Sequence, residues 1–198
     1  MNMKFNFCNP TNLIFGSGTL DELSKQTLPG MKALLLISNG KSTRANGSFD
    51  RTMEQLQKAG VQAVVFDKIM ENPLKDVVME GAQFAKDNGC DFIVALGGGA
   101  VLDASIAIAA MATNPGDLWN YVAGGTGKGQ PLQNKGLPIV TIATTAGTAS
   151  EINAFGVISN AETQEKIGFG DSSLVPVLAI VDPELMKTVP PQYTAYQG

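Results

Sequence analysis

The sequence predicts an α/β fold in which a mostly parallel sheet is flanked by helices. Three observations carry that expectation. Short apolar runs recur along the chain, each followed by a stretch with helical periodicity, the alternation produced by parallel strands joined through right-handed helical crossovers. Turn residues separate the stretches, at Gly60, Asn72-Pro73, Asn88-Gly89 and Asn114-Pro115-Gly116. The 198 residues, 44% hydrophobic and 16% charged, are enough for one substantial core.

In chain order, residues 32–37 read as the first buried strand. A polar turn, Ser38-Asn39-Gly40-Lys41-Ser42, leads to a helix over 48–59 that Ser48 can cap and Gly60 ends. Residues 61–66 form the next strand. Asn72-Pro73 opens a helix whose Val77, Val78, Ala82, Phe84 and Ala85 recur at helical spacing until Asn88-Gly89. Residues 92–96 follow as a buried strand, and 100–112 is apolar enough to be a buried crossover helix. Residues 123–136, rich in Gly, Gln and Lys without periodicity, form an exposed excursion. The chain returns to the sheet at 138–142, makes a hairpin from 155–159 and 166–169, and adds a last strand at 177–181. Residues 1–182 are thus one α/β domain. Residues 183–198, with Pro190-Pro191 opening a helix, begin a connection to a further domain.

Composition excludes several function classes. A formal charge of -4, from 14 Lys+Arg against 18 Asp+Glu, leaves no basic excess to neutralise a nucleic-acid backbone, so a small-molecule partner is expected. Histidine is absent, which removes the commonest general base and the commonest nitrogen ligand for zinc or iron. Cys8 and Cys90 form no C-x-x-C pair and no disulfide framework, in keeping with a reducing, cytoplasmic setting. The first residues lack the apolar core of a signal peptide and 106–112 is too short to span a bilayer, so no membrane role is expected.

Two places carry chemistry. Leu96-Gly97-Gly98-Gly99-Ala100-Val101-Leu102-Asp103 takes a strand through glycines into a helix. Such a turn frees backbone N–H groups at the positive end of the helix dipole, and the missing side chains let a diphosphate reach them; a tight turn without a ligand needs the same glycines. Asp103, in the first turn of that helix, favours the dipole in either case. The second place, Ala143-Thr144-Thr145-Ala146-Gly147-Thr148-Ala149-Ser150-Glu151, puts small residues and hydroxyls at the carboxyl end of a parallel strand, where open sheets bind ligands; it also reads as a capped loop. Two other glycine patterns fail. Gly16-Ser17-Gly18 meets Asp21 where a dinucleotide fingerprint needs a third glycine. Gly127-Lys128 is followed by Gly129 and preceded by Val122 at the first glycine's place, so ATP hydrolysis is not supported.

Taken together, Gly97-Gly98-Gly99 with Asp103, Thr144-Thr145-Ala146-Gly147-Thr148, Asn153-Ala154-Phe155, Lys166-Ile167-Gly168-Phe169 and Asp182-Pro183-Glu184-Leu185 resemble the iron-containing (group III) alcohol dehydrogenases. The likeness is to their butanol-dehydrogenase-like branch and extends over nearly the whole chain. It implies a Rossmann-like, dehydroquinate-synthase-like amino-terminal domain holding NAD or NADP, with an all-helical domain supplying most of an Fe2+ or Zn2+ site. It places Gly98, Gly99 and Ala100 along the pyrophosphate, Thr144, Thr145 and Thr148 beside phosphate and nicotinamide, and Asn72 and Lys166 in the same cleft. Gly97, Asp103 and Asn39 complete the implied cofactor set.

Two departures remove one phosphate contact and one charge: Ala100 stands where the family's helix usually begins with Ser, and Ile106 where it usually carries Lys. In the family the turn after the first α/β strand helps choose the cofactor, because a carboxylate there binds the ribose 2′-hydroxyl and repels a 2′-phosphate. Here Asn39 is no acid and Lys41 and Arg44 follow, so NADP is expected to be accepted, and even preferred, beside NAD. The resemblance also implies metal ligands of one Asp and three His, the Asp just beyond a Gly that Gly198 matches. The chain is therefore expected to stop before its first metal ligand and to be catalytically silent by itself.

The function that follows is the cofactor-binding domain of a metal-dependent oxidoreductase that interconverts primary alcohols and aldehydes. A homodimer is expected, with amino-terminal strands such as 12–15 joining across subunits. The alternatives are a glycerol-type dehydrogenase of the same superfamily, a stand-alone nucleotide-binding or regulatory module, and a structural α/β protein whose glycines only make turns.

Overall fold

The computed structural model describes residues 4–5 and 8–197. Six strands, β1 (Asn12–Phe15), β2 (Lys32–Ser38), β3 (Gln62–Ile69), β4 (Phe92–Gly97), β5 (Ile139–Ala143) and β8 (Leu178–Val181), form one sheet in the order β1-β8-β5-β4-β2-β3. Every neighbouring pair is parallel. A separate antiparallel hairpin is made by β6 (Phe155–Asn160) and β7 (Glu165–Gly170). The helices are α1 (Ser42–Ala45), α2 (Ser48–Lys58), α3 (Lys75–Asp87), α4 (Gly99–Met111) and α5 (Pro191–Gln197).

Successive side chains of a strand point to opposite faces, so a sheet covered on both sides needs apolar residues at every position. In β2, Ala33, Leu35 and Ile37 pack on one face with Leu20, Leu23 and Leu56, whereas Leu34 and Leu36 pack on the other with Phe66, Val78 and the residues of α4. The continuous apolar runs of the sequence are therefore strands buried on both faces. The same logic explains α4, which is buried from Val101 to Met111 except at Asp103. It lies between the sheet, α3 and the β6–β7 hairpin. Close packing there needs glycine: a Cβ on Gly156 would lie 2.6 Å from the Asp103 carbonyl oxygen.

The observed elements follow the sequence reading with local differences. The strand expected at 61–66 is β3, which runs on to Ile69, past an irregularity in the β2–β3 register between Leu36 and Ser38. The polar turn after β2 holds the short helix α1. Ser48 does not cap α2: Gly47 takes the cap position with φ 78°, and the Ser48 hydroxyl donates to Asn46 Oδ1 at 2.7 Å. Residues 123–136 contain no helix or strand, yet are fastened, because Asn114 Oδ1 accepts from the Gln133 and Asn134 amides at 2.8 Å each. Residues 12–15 join their own chain's sheet as an edge strand beside β8. Pro191 opens α5, while Gly198 lies outside the described residues. Among the described residues no helix is long and apolar enough to cross a membrane.

Candidate functional site

Because all six strands are parallel, every strand of the sheet delivers its following loop to one edge. The chain runs from β2 outward to β3, then crosses back over β2 to β4. Strand order thus reverses between β2 and β4, and an open sheet forms a crevice at such a switch point. Ser38, at the end of β2, and Gly98 and Gly99, just after β4, line one cavity there of about 390 Å3. It shares Glu71, Thr145 and Gln197 with a second cavity of about 370 Å3, and Gly99, Ala100 and Thr148 with a third of about 200 Å3. The three form a continuous groove along the carboxyl edge of the sheet. A larger concavity of about 520 Å3 lies beside Phe49, Met53 and Val61, away from the carboxyl-edge loops, and no strand-to-helix turn opens into it.

The glycine turn and the threonine loop meet in this groove. Thr144 N–H donates to the Gly97 carbonyl at 3.0 Å and fixes the two loops side by side. A Cβ on Gly98 would lie 3.0 Å from Thr145 Oγ1, and one on Gly99 only 2.7 Å from Thr148 Cγ2. Hydroxyls therefore stand directly against a backbone stripped of side chains. Gly98 is the N-cap of the 13-residue α4, and its carbonyl accepts from Val101 and Leu102 N–H at 3.0 and 3.2 Å. The N–H groups of Gly99 and Ala100, in the first turn, meet no protein acceptor among the described residues. Free amides at the positive end of a helix are a ready anion seat.

The remaining residues singled out by sequence divide into two groups. Asn72 and Lys166 face each other across the third cavity, where the Lys166 ammonium donates to Asn72 Oδ1. Asn72 has φ 55°, a left-handed conformation that asparagine tolerates better than most residues. Asp103 borders the same cavity but is already committed. It accepts from Ser150 Oγ at 2.7 Å and from Val157 N–H at 2.9 Å, tying α4 to the threonine loop and to β6. Gly97 is buried in β4 and lines none of the three cavities; a Cβ there would strike Val101 at 2.5 Å. Asn39 is exposed, donates its N–H to the Ile69 carbonyl at 2.8 Å, and does not line the groove, whereas its neighbour Ser38 does. Arg44 is engaged with Asp67 at 3.2 Å and lies 4.2 Å from the Phe49 ring centroid. Ser38 belongs to the polar turn read from the sequence without being singled out in it, and Glu71 carries no sequence expectation; the switch-point rule applied to the ends of β2 and β3 is the signal that finds both.

Two charged clusters fasten the β6–β7 hairpin. Glu165 accepts hydrogen bonds from the Trp119 indole at 3.0 Å, the Thr126 amide at 2.7 Å and the Thr163 hydroxyl at 2.7 Å, with the Thr126 hydroxyl also in contact. The Thr126 hydroxyl, followed by that of Thr163, holds its carboxyl down at about 2. Lys75, at the start of α3, donates to Glu162 at 2.9 Å, and that hydrogen bond raises its ammonium above the ordinary lysine value. Together they clamp the hairpin. Burial pushes the Cys90 thiol up, so it lacks the thiolate character of a nucleophile.

The topology is that of an open α/β sheet wound on both faces, with its glycine turn at the switch point. Residues 10–183 match the family model described as iron-containing alcohol dehydrogenase. The chain belongs to that family. It is 40% identical over 193 residues to the probable NADH-dependent butanol dehydrogenase 1 of Bacillus subtilis, covering 98% of this chain and 49% of that protein. It is 31% identical to the NADPH-dependent butanol dehydrogenase of Clostridium saccharobutylicum, covering 97% and 48%. The crystal structure of NADH-dependent butanol dehydrogenase A from Thermotoga maritima superposes with a TM-score of 0.89 at 32% identity, covering 98% and 48%. The chain spans about half the length of these relatives.

The family implies a dinucleotide and a metal, and the two fare differently here. Backbone amides without acceptors, beside glycines whose Cβ atoms would close the space, fit a diphosphate. A metal ion finds no such fit: no group of three or more His, Cys, Asp or Glu is disposed to hold one among the described residues, and the sequence has no histidine.

Proposed function

We propose that the groove is the seat of NAD or NADP, and that the chain is the cofactor-binding part of an alcohol dehydrogenase interconverting primary alcohols and aldehydes. The observation that carries this reading is the meeting of Gly98 and Gly99 with Thr145 and Thr148 at the switch point between β2 and β4. In it, Gly98, Gly99 and Ala100 bind the diphosphate through main-chain N–H groups, and the α4 dipole favours its charge. Thr144, Thr145 and Thr148 supply hydroxyl donors along the same edge. Lys166, held by Asn72, adds a positive charge at the far end of the groove. Asp103 serves as a positioning residue, since both of its oxygens are occupied by protein donors. The nicotinamide, when bound, supplies hydride transfer to or from the alcohol carbon. The residues of this chain orient it against the groove.

The whole protein's Fe2+ or Zn2+ is part of the same proposal, as is a cytoplasmic location. So is a homodimer formed through the outer edge of β1, which has no neighbouring strand in the described sheet. Light scattering on the 198-residue chain tests the last point.

Titration of NADH or NADPH into the chain, followed by nicotinamide fluorescence, tests the seat. Saturable binding with a blue-shifted emission is expected; flat titrations with both cofactors would remove the reading. Alcohol-dependent reduction of NAD or NADP is expected to be absent from this chain, and its detection would contradict the assignment of the metal chemistry to residues other than these.

A further inference from the structure

Glu71 stands where the two larger cavities of the groove join. It shares one with Ser38, Gly98 and Gly99, and the other with Thr144, Thr145 and Asn46. Its carboxylate is exposed and has no ion-pair or hydrogen-bond partner among the described residues. That is an unexpected group to find beside an anion seat. The cations of the flanking segments make no ion pair with it among the described residues: Lys166 donates to Asn72, Arg44 pairs with Asp67 and stacks on Phe49, Lys68 pairs with Glu80, and Lys41 does not reach it.

We infer that Glu71 is a cofactor-selectivity residue, whose carboxylate accepts from a ribose hydroxyl and repels a 2′-phosphate, so that this chain prefers NAD(H) to NADP(H). The inference rests on the dinucleotide reading of the groove. In open α/β sheets the acid that reads the ribose comes from the end of the strand beside the glycine-turn strand. Here that strand is β2, and it ends in the uncharged pair Ser38-Asn39. Its outer neighbour β3 ends at Ile69 and brings Glu71 into the cavity that Ser38 lines. The carboxylate thus comes from the next strand along. An ionised carboxylate only accepts hydrogen bonds, and a ribose diol offers donors to it. A 2′-phosphate offers none at neutral pH and adds charge of the same sign, which is the repulsive element that specificity needs.

Titrations of the chain with NADH and NADPH at low and high salt test the inference. The wild type is expected to bind NADH at least about fivefold more tightly than NADPH, with the gap narrowing as salt screens the exposed charge. Glu71→Gln, which keeps an acceptor and loses the charge, is expected to raise NADPH affinity about tenfold and to weaken NADH binding, so that the NADH to NADPH preference falls by about tenfold or more. Far-UV circular dichroism checks that the variant folds, and Glu71→Ser provides a second neutral side chain with the same expected direction. If both cofactors bind saturably but the NADH to NADPH ratio is the same in wild type and variants, the inference is overturned and the seat stands. A wild type that prefers NADPH overturns it equally. If neither cofactor binds the wild type, the seat itself is lost, and the inference with it.

Discussion

At Gly99 the difference of one methyl group separates an open seat from a filled one. Ala would bring its Cβ to 2.7 Å from Thr148 Cγ2, so either the threonine loop moves away or the helix start does. Gly99→Ala is expected to weaken NADH binding by about tenfold or more, because the amides and hydroxyls that bind one diphosphate no longer converge. Thr148→Ser, which removes the methyl in the way, should restore part of that affinity in the double variant. Gly97→Ala probes a different requirement. Its Cβ would meet Val101 of α4 at 2.5 Å where the helix packs on the sheet, so it should cost about 1–3 kcal/mol in urea unfolding whether or not a cofactor is present. Glu165 makes a prediction about acid. Its carboxyl titrates at about 2 in the folded chain against an ordinary 4.5, so its contribution is complete above pH 4.5 and is lost as pH falls toward 2. Urea midpoints measured across that window should fall less steeply in Glu165→Gln than in the wild type.

The hairpin and α4 behave as one unit at the scale of elements. Helix α4 is apolar nearly all round, and an apolar helix needs cover on every side. The sheet and α3 cover part of it, and β6 closes the rest with Gly156 against the Asp103 backbone. The Asp103 carboxylate then receives Val157 N–H on one oxygen and Ser150 Oγ on the other. Asp103→Asn can keep its oxygen for Val157 N–H only by turning the Ser150 hydroxyl from donor to acceptor, and both hydrogen bonds lose the carboxylate charge, so a loss of about 1–3 kcal/mol is expected. Amide hydrogen exchange should accelerate in β6, β7 and the threonine loop ahead of the central strands β2 and β4. Equal acceleration everywhere would mean that Asp103 serves global stability and does not couple these elements.

At the scale of the whole molecule, one buried carboxylate joins the two ends of the sheet's outer half. Asp182, fully buried just after β8, accepts from Gly18 N–H at 3.0 Å and Leu20 N–H at 3.2 Å, more than a hundred and sixty residues earlier in the chain. It also caps the short turn that follows by accepting from Glu184 N–H at 3.0 Å, with Arg51 at 3.7 Å. Asp182→Ala strands the buried Leu20 donor and removes the acceptor of the two part-buried ones, and is expected to lower unfolding free energy by about 2–4 kcal/mol, read from urea denaturation. The pairing of β1 with β8 closes over the same long separation, so the outer strands should lose protection in that variant before β2 does.

Local chemistry was enough to make several features legible in the sequence. Buried parallel strands need unbroken apolar runs, and α4 needs apolar residues all round, so both announced themselves as residue patterns. The glycine turn and the threonine row were visible for the same reason, because backbone freed of side chains and hydroxyls at a strand end are written in residue types. Other features depended on which segments become neighbours. Ser48 looked like a cap until Gly47 took that position and Asn46 claimed its hydroxyl. Asn39 stood beside the groove without entering it, and Gly97 proved to serve packing against Val101. Glu71 carried no signal because it enters the groove only through the packing of the loop after β3 beside the ends of β2 and β4, which residue type alone does not show. Sequence by itself determined the elements and the two loops that hold the chemistry, since these follow from local preference and periodicity. Only the tertiary structure decided which side chains share one cavity, because that depends on strand order and close contact.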